Sequence, residues 1–197
     1  MELLLVRHAL PLRVERKDGA PADPPLSNEG RRQANRLARW LEAARLDAIY
    51  VSPMQRALET AQPLAKSQGV GLRIEPGVVE FDATASTYVP LEEIKALDYE
   101  RWRALIRGGL VEGVDLAEFR RVVTGSLERI IDDHPGERVA VVCHGGVINT
   151  WAAHVLGLEA TLFFEPTYTS ISRFLASASG PRSVASLNET AHLSGGR

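Results

Sequence analysis

The sequence predicts an α/β domain built on a mainly parallel sheet. Short apolar runs alternate with amphipathic helical patterns along most of the chain, which is typical of strand–helix–strand units that pair in parallel. The 197 residues fit one ordinary domain, and a hydrophobic fraction of 45% is enough for a sizeable core. Neither an internal repeat nor a linker interrupts the pattern, so we predict a single domain over residues 1–197.

Apolar runs bounded by polar or turn residues mark the central strands. Residues 3–6, 46–52 and 138–143 have this character and predict three buried strands. Further strands are predicted at about 70–74, 168–176 and 182–188.

Helical spacing and capping residues locate the helices between these strands. Over residues 27–44, apolar side chains recur at helical intervals and Ser27 is placed as the N-cap. The next helix begins in the stretch SPMQ, with Ser52 as the N-cap and Gln55 as its capping-box partner, and we expect it to bend near Pro63. Further helices are predicted at about 90–106, 115–133 and 146–157.

The stretch from Pro76 to Gly113 departs from this alternation. It opens with a poorly patterned loop and carries the aromatic residues Phe81, Tyr88 and Trp102. We expect residues 76–113 to form an insertion that lies over one end of the sheet.

The composition limits the classes of partner. A net charge of −2 gives no general reason to expect nucleic acid or an anionic membrane as a partner. No apolar stretch approaches the roughly 18 residues of a membrane span, and the N-terminal run is shorter than the roughly 7–15-residue core of a signal peptide. The single cysteine, Cys143, cannot form an internal disulfide. We therefore expect a soluble cytoplasmic protein, and a homo-oligomer stays an open alternative.

Cations and imidazoles follow the three central strands. The first strand ends in Arg7 and His8, the second leads into a helix that carries Arg56, and the third is followed by His144 and two glycines. Ligands of open α/β sheets bind outside the carboxyl ends of the strands, so we expect these side chains to meet there.

Arg56 and His144 each have a structural explanation as well as a functional one. A cation in the first turn of a helix is disfavoured by about 0.3–1 kcal/mol, and a bound anion would remove that conflict. Arg56 could instead be a surface arginine directed away from the helix end. His144 could be a core histidine satisfied by backbone, although the glycines after it would let N–H groups approach a ligand closely.

Two arginines and two histidines at one crevice suit a phosphate group, because the guanidinium fork matches phosphate oxygens. The arginines disfavour the charged imidazolium, so His8 should stay neutral and nucleophilic. Arg7, Arg56 and His144 could then stabilise the equatorial oxygens during transfer. The departing oxygen needs a proton, for which the stretch EFD in the insertion offers Glu80 and Asp82.

Several stretches, taken in this order, resemble the histidine phosphatase superfamily, also called the phosphoglycerate mutase-like family. They are LLLVRHA, PLSNEGRRQANRLARWL, SPMQRALETA, EFD and VAVVCHGGVINTW. The resemblance implies a three-layer α/β/α fold whose mainly parallel mixed sheet has a cap insertion over the strand ends. It also implies a phosphohistidine on His8, a phosphate pocket of Arg7, Arg56 and His144, Glu80 as proton donor, no metal or other cofactor, and a small phosphorylated substrate.

The sequence departs from the family pattern in places that concern the substrate. Ala9 stands where the family has glycine, and the stretch LPLRVERKDGAPADP does not match the family's usual continuation. Arg13 and Phe81 are therefore candidates for the substrate wall. The Gly and Trp that usually follow the family's glutamate are missing after Glu80, and Asp82 stays the alternative acid.

We predict a metal-independent phosphomonoesterase that acts through phospho-His8. A phosphoglycerate mutase-type phosphotransferase is the first alternative, although the extra basic insertion of the family's cofactor-dependent mutases is missing here. A non-catalytic phosphate-binding module is the second. A cysteine phosphatase would need Arg six positions after Cys143, where Asn149 stands, and neither a G-x-S-x-G elbow nor a P-loop occurs in the chain.

Overall fold

The computed structural model describes residues 1–106, 115–159, 162–177 and 180–194. The strands in chain order are β1 (Glu2–Arg7), β2 (Val14–Glu15), β3 (Ala48–Val51), β4 (Leu72–Ile74), β5 (Thr87–Tyr88), β6 (Arg138–Cys143), β7 (Ile171–Ala176) and β8 (Arg182–Glu189). The helices are α1 (Asn28–Trp40), α2 (Gln55–Gln68), α3 (Leu91–Leu97), α4 (Tyr99–Ile106), α5 (Leu116–Asp133) and α6 (Gly145–Leu156). None of the helices in these ranges combines the length and apolar composition needed to cross a lipid bilayer.

The central sheet has six strands in the order β4-β3-β6-β1-β7-β8. Strands β4, β3, β6 and β1 pair in parallel, whereas β7 and β8 are antiparallel to their neighbours. The predicted mainly parallel mixed sheet is thereby confirmed.

Helices cover both faces of the sheet. Successive side chains of a strand point to opposite faces, so Leu3 and Leu5 pack into one buried cluster while Leu4 and Val6 pack into another. The first cluster contains the apolar side of α5 and α6, and the second contains that of α1 and α2. This arrangement gives the three layers expected from the sequence.

Strand register brings the predicted site residues to one edge of the sheet. Arg7 lies opposite Cys143 in the pairing of β1 with β6, and Val51 lies opposite Val142 in the pairing of β3 with β6. The residues that follow these strands are therefore neighbours. Because β7 is antiparallel, it begins at this same edge, with Ile171 opposite Val6.

The N-cap predicted for the second helix is wrong. Helix α2 begins at Gln55, and its N-cap residue is Met54, whose side chain makes no capping hydrogen bond. The Gln55 N–H instead donates to both carboxylate oxygens of Asp23, at 2.9 and 3.0 Å. Ser52 lies one residue before Pro53 and directs its hydroxyl toward His144.

The helix predicted over 90–106 is divided into α3 and α4. Asp98 has φ −148° and ψ 79°, which is outside the helical region, and its N–H closes the end of α3 on the carbonyl of Ile94. Aspartate favours such interruptions because its carboxylate competes for local backbone donors. Pro63, in contrast, lies inside α2, which continues to Gln68.

Residues 76–106, which we call the cover, lie against the edge of the sheet where β1, β3 and β6 end. Strand β5 of the cover pairs with β2 in a separate two-stranded sheet, with Val14 opposite Tyr88. The remaining part of the predicted insertion, residues 107–113, lies outside the described residues.

Candidate active site

His8 follows β1 directly and is 3% exposed. Its Nδ1 lies 2.8 Å from the carbonyl oxygen of Ala9. A carbonyl can only accept, so Nδ1 carries the proton and a neutral His8 has its lone pair on Nε2. Burial, followed by the charges of Arg56 and Arg7, lowers the pKa of His8 well below its usual value. The neutral state expected from the arginines therefore has burial as its larger cause.

His144 stands beside His8 at the end of β6. The two ring centroids are 5.1 Å apart, and the planes are tilted by 55°. The Nε2 of His144 lies 2.8 Å from the hydroxyl oxygen of Ser52, and its Nδ1 is buried without a partner among the described residues. Burial and then the charge of Arg56 lower the pKa of His144 well below its usual value, so both imidazoles are neutral.

Arg7 is held by contacts on one side of its guanidinium. The Nη1 atom donates to the carbonyl of Pro166 at 2.6 Å and to Glu92 of α3 at 3.0 Å. The guanidinium carbon lies 3.8 Å from the centre of the Tyr168 ring, which is a close cation–π distance. The Nε atom is buried and lacks a partner within the described part of the chain.

Arg56 is anchored in the same way by the cover. Its side chain is 1% exposed, and Nη2 donates to Asp82 at 2.7 Å. The guanidinium carbon lies 4.7 Å from the centre of the Tyr88 ring. The surface-arginine alternative is therefore wrong, and the conflict with the helix dipole is reduced by the protein's own carboxylates, Asp82 beside the guanidinium and Asp23 at the helix end.

Among the buried polar groups of this edge that lack a partner within the described residues, four are nitrogen donors of arginine or histidine. They are Arg7 Nε, Arg56 Nε, Arg56 Nη1 and His144 Nδ1. A buried donor without an acceptor costs about 1–3 kcal/mol, and more when it is charged. An anion with several acceptor oxygens, such as a phosphoryl group, is the kind of ligand that buried guanidinium and imidazole donors bind.

Glu80 enters the site from the cover and is 8% exposed. Its carboxyl group accepts the Gly146 N–H at 2.8 Å and the Phe81 N–H at 3.1 Å. Burial is the main cause that raises the pKa of Glu80 to about 7, the charge of Asp82 adds to it, and the two N–H groups oppose it. A carboxyl group with this pKa can both give and take a proton near neutral pH.

Asp82, the alternative acid, has a different environment. Its side chain is 22% exposed and lies 2.7 Å from the Arg56 guanidinium. This charge-assisted contact makes Asp82 suited to anchoring the arginine.

Gly146 lets the cover approach helix α6 closely. A Cβ atom at this position would lie 2.3 Å from a Glu80 carboxyl oxygen and 2.5 Å from Cε1 of Phe81. The sequence suggested that this glycine admits a ligand to a bare N–H. The structure shows that the N–H of Gly146 is taken by Glu80 instead.

The two candidates for the substrate wall differ in their surroundings. Phe81 lies next to Gly146 and meets the ring of Phe119 edge-on at 5.9 Å. Arg13 is half exposed and forms an ion pair with Glu93 of α3 at 2.7 Å. Phe81 therefore lies close to the proposed acid, while Arg13 is attached to the outer side of the cover.

The segment before β7 also lies at the site, and no sequence pattern indicated this. Tyr168 packs against Arg7, and its ring centroid is 5.5 Å from that of His8. Thr169 has φ 61°, in the left-handed region, and its N–H donates to the carbonyls of Arg7 and His8 at 3.1 and 3.3 Å. The sequence analysis assigned Ser52 to a helix cap and Tyr88 to the aromatic residues of the insertion, and it did not place either residue in the site.

The fold and this cluster of neutral imidazoles and arginines are those expected of an α/β enzyme that acts on phosphate groups. The model of the histidine phosphatase superfamily (branch 1) matches residues 3–190, and the chain belongs to this superfamily as a histidine phosphatase-type hydrolase.

The relatives include both phosphatases and mutase-like proteins. Phosphoserine phosphatase 1 of Hydrogenobacter thermophilus is 30% identical over 204 residues, which cover 98% of this chain and 94% of the relative. Phosphoglycerate mutase-like protein 4 of Arabidopsis thaliana is 34% identical over 163 residues, with 76% and 68% covered. A phosphoserine phosphatase variant of Entamoeba histolytica in complex with phosphoserine shares the fold, with a TM-score of 0.76, 24% identity and 98% of each chain covered.

Proposed function

We propose that the protein is a metal-independent phosphomonoesterase that works through a phosphohistidine on His8. The observation that carries the proposal is the position of an unprotonated His8 Nε2 among buried donors that lack acceptors. The full-length similarity to a protein named phosphoserine phosphatase supports hydrolysis over mutase activity.

In the first step, the phosphate oxygens accept hydrogen bonds from Arg7, Arg56 and His144. The Nε2 lone pair of His8 attacks phosphorus, and the ester P–O bond breaks with its electron pair on the departing oxygen. Glu80 gives its proton to that oxygen, and the alcohol leaves. The products of this step are phospho-His8 and an ionised Glu80.

In the second step, Glu80 acts as a base. Water attacks phosphorus and loses one proton to the Glu80 carboxylate, while the P–N bond breaks and returns the electron pair to His8. Inorganic phosphate leaves, and the enzyme is restored. A pKa of about 7 fits a group that must serve as an acid and then as a base.

The protein's own cationic side chains can stabilise the negative charge of the transition state. The equatorial oxygens of the phosphoryl group need stabilisation during transfer. Fixed guanidinium groups and an imidazole N–H can provide it. His8 is a nucleophile without activation because burial keeps it neutral. These two properties support a mechanism without a metal ion.

Rapid-quench labelling tests the intermediate. Mixing with ³²P-phosphoserine or another labelled phosphate ester should give protein-bound phosphate that is labile in acid and stable in base. His8→Ala should abolish this label, while His154→Ala, at an exposed histidine of α6, should keep it. An acid-stable label, or a label that persists in His8→Ala, would exclude phospho-His8.

The same preparation separates the remaining alternatives. Activity that disappears with a strong chelator and returns with a divalent cation would exclude the metal-independent mechanism. Transfer of label from 3-phosphoglycerate to a second hydroxyl, without release of phosphate, would establish a mutase. Binding of phosphate without any turnover on a panel of esters would establish a non-catalytic module.

A further inference from the structure

We infer that Ser52 is a positioning residue that fixes which nitrogen of His144 carries the proton. The hydroxyl donates to Nε2, so the single proton of the neutral ring is placed on Nδ1, the atom left to donate to the phosphoryl group. The inference rests on the proposed function for its catalytic consequence, whereas the position of the proton is a property of the resting protein.

The direction of the hydrogen bond follows from the partners of Ser52. The side chain is fully buried, and its oxygen lies 2.8 Å from His144 Nε2 and 3.4 Å from the Met54 N–H, which can only donate. Among the described residues, His144 Nε2 is the atom in contact with the hydroxyl that can accept its proton. A buried hydroxyl whose proton lacks an acceptor is costly, so Ser52 donates to Nε2.

The neutral state of His144 makes this direction decisive. A charged imidazolium would carry protons on both nitrogens, and Ser52 would have to accept. Burial and the neighbouring arginine disfavour that charge. With one proton on the ring and Nε2 occupied as an acceptor, the proton lies on Nδ1, which is a buried atom without a partner among the described residues.

The capping arrangement of α2 leaves Ser52 available for this contact. The sequence placed Ser52 as the N-cap, but α2 begins three residues later, and the carboxylate of Asp23 accepts the first N–H of the helix. Ser52 is therefore not required to start the helix, and its strong hydrogen bond is to the imidazole.

The two histidines of the site are thereby set in opposite ways. His8 donates from Nδ1 to the fixed carbonyl of Ala9 and keeps a lone pair on Nε2, whereas His144 accepts at Nε2 and presents an N–H from Nδ1. The first ring is a nucleophile and the second a hydrogen-bond donor. Without the Ser52 hydroxyl, the His144 proton could move to Nε2, and the donor at Nδ1 would be lost.

Long-range ¹H–¹⁵N NMR of the histidine side chains tests the inference directly. In the wild-type protein His144 should show the Nδ1–H pattern at neutral pH, and in Ser52→Ala it should shift toward Nε2–H. Ser52→Thr keeps a hydroxyl and should retain the wild-type pattern. An Nε2–H pattern in the wild-type protein, or an unchanged Nδ1–H pattern in Ser52→Ala, would overturn the inference.

Kinetics provide the second readout. Ser52→Ala should lower kcat by about 10–100-fold with little change in KM, because the lost donor acts mainly in the transition state. Ser52→Thr should restore kcat to within about tenfold of wild type, and Ser126→Ala, at a buried serine of α5 that is not part of the site, should remain near wild type. An unchanged kcat in Ser52→Ala would overturn the positioning role.

The two readouts separate this inference from the proposed function. If His8→Ala retained acid-labile phosphate while the NMR pattern responded to Ser52 as described, the proposed nucleophile would be wrong and the proton assignment would stand. If His8 were the nucleophile and the NMR pattern did not change in Ser52→Ala, the inference on Ser52 would be wrong and the proposed function would stand.

Discussion

The strand ends and the cover meet at the same site but are held by different means. Arg7, His8, Ser52 and His144 are all less than 10% exposed and are fixed by the register of β1, β3 and β6. The cover is attached by the short β2–β5 pair and by ion pairs of half-exposed carboxylates such as Glu92, whose side chain is 49% exposed. The strand ends can therefore change little without disturbing the core, while most of the cover is less constrained by it.

Glu80 is the exception within the cover. It is as buried as the strand-end residues, and its carboxyl group is tied to the first turn of α6. The comparison therefore predicts large effects for the strand ends and Glu80, and small effects for the other carboxylates of the cover.

Glu80→Gln should produce the largest effect of the cover. A general acid matters most when the departing oxygen is a poor leaving group, so kcat/KM on alkyl phosphates should fall by about 10²–10⁴ and much less on nitrophenyl phosphate. With wild type, kcat/KM on alkyl phosphates should also decrease as the pH rises through about 7, because Glu80 loses the proton it must donate. That decrease should be absent from Glu80→Gln.

Asp82→Asn is the matched control for this experiment. It should show no leaving-group dependence, although it can weaken the anchoring of Arg56. If Asp82→Asn, and not Glu80→Gln, lost more activity on alkyl phosphates than on nitrophenyl phosphate, the two roles would be reversed. If neither variant showed this difference, the acid would be another residue.

Arg56→Ala should lower kcat by about 10²–10³, because it removes two preorganised donors to charge that grows in the transition state. Arg56→Lys should not restore activity, since an ammonium group cannot donate to the phosphate and to Asp82 in the planar geometry of a guanidinium. Steady-state kinetics on one alkyl phosphate checks this. A normal kcat with only a raised KM would show that Arg56 contributes uniform binding.

The stability of Glu80→Gln relative to wild type should rise with pH. The pKa of Glu80 is raised from 4.5 to about 7, so the folded state binds an extra proton between these values and loses stability as the pH rises through them. The variant has no such loss, so the difference in unfolding free energy, variant minus wild type, should increase by about 1–3 kcal/mol between pH 4.5 and 7 and then level off. Urea unfolding at pH 5 and pH 8 measures it; an equal difference at both pH values would contradict the raised pKa.

Glu92→Gln should have the smallest effect. Its ion pair with Arg7 is half exposed on the glutamate side, and such pairs contribute about 0–1 kcal/mol, so kcat should stay within about fivefold of wild type. Glu93→Gln, which loses the outer contact with Arg13, serves as the comparison. A loss of 10²-fold or more in Glu92→Gln, relative to Glu93→Gln, would show that the cover controls the Arg7 guanidinium as tightly as the strand ends do.

Local sequence patterns predicted the sheet and the residues that follow its parallel strands. Each central strand is a continuous apolar run, and the rule that ligands bind at carboxyl strand ends led directly to His8, Arg56 and His144. The same rule did not identify Tyr168, because the rule considers residues that follow parallel strands. Tyr168 precedes the antiparallel strand β7, which starts at the edge where β1 ends.

Long-range contacts explain the other differences. The stretch SPMQ has the composition of a capped helix start, but the carboxylate that accepts the first N–H, Asp23, is 32 residues away in sequence. Likewise, the choice between Glu80 and Asp82 depends on burial and on Arg56, neither of which can be read from three adjacent letters.

The site depends on a left-handed backbone conformation at Thr169, which is unfavourable for a β-branched residue. A β-branched side chain at φ 61° is rarely found, and such a conformation costs about 1–3 kcal/mol. In return, one N–H binds the carbonyls of both Arg7 and His8, and Tyr168 is turned beneath the guanidinium. A glycine at 169 would relax the strain and also free the turn to adopt other shapes. Selection for thermal tolerance and selection for turnover would therefore favour different residues at this position.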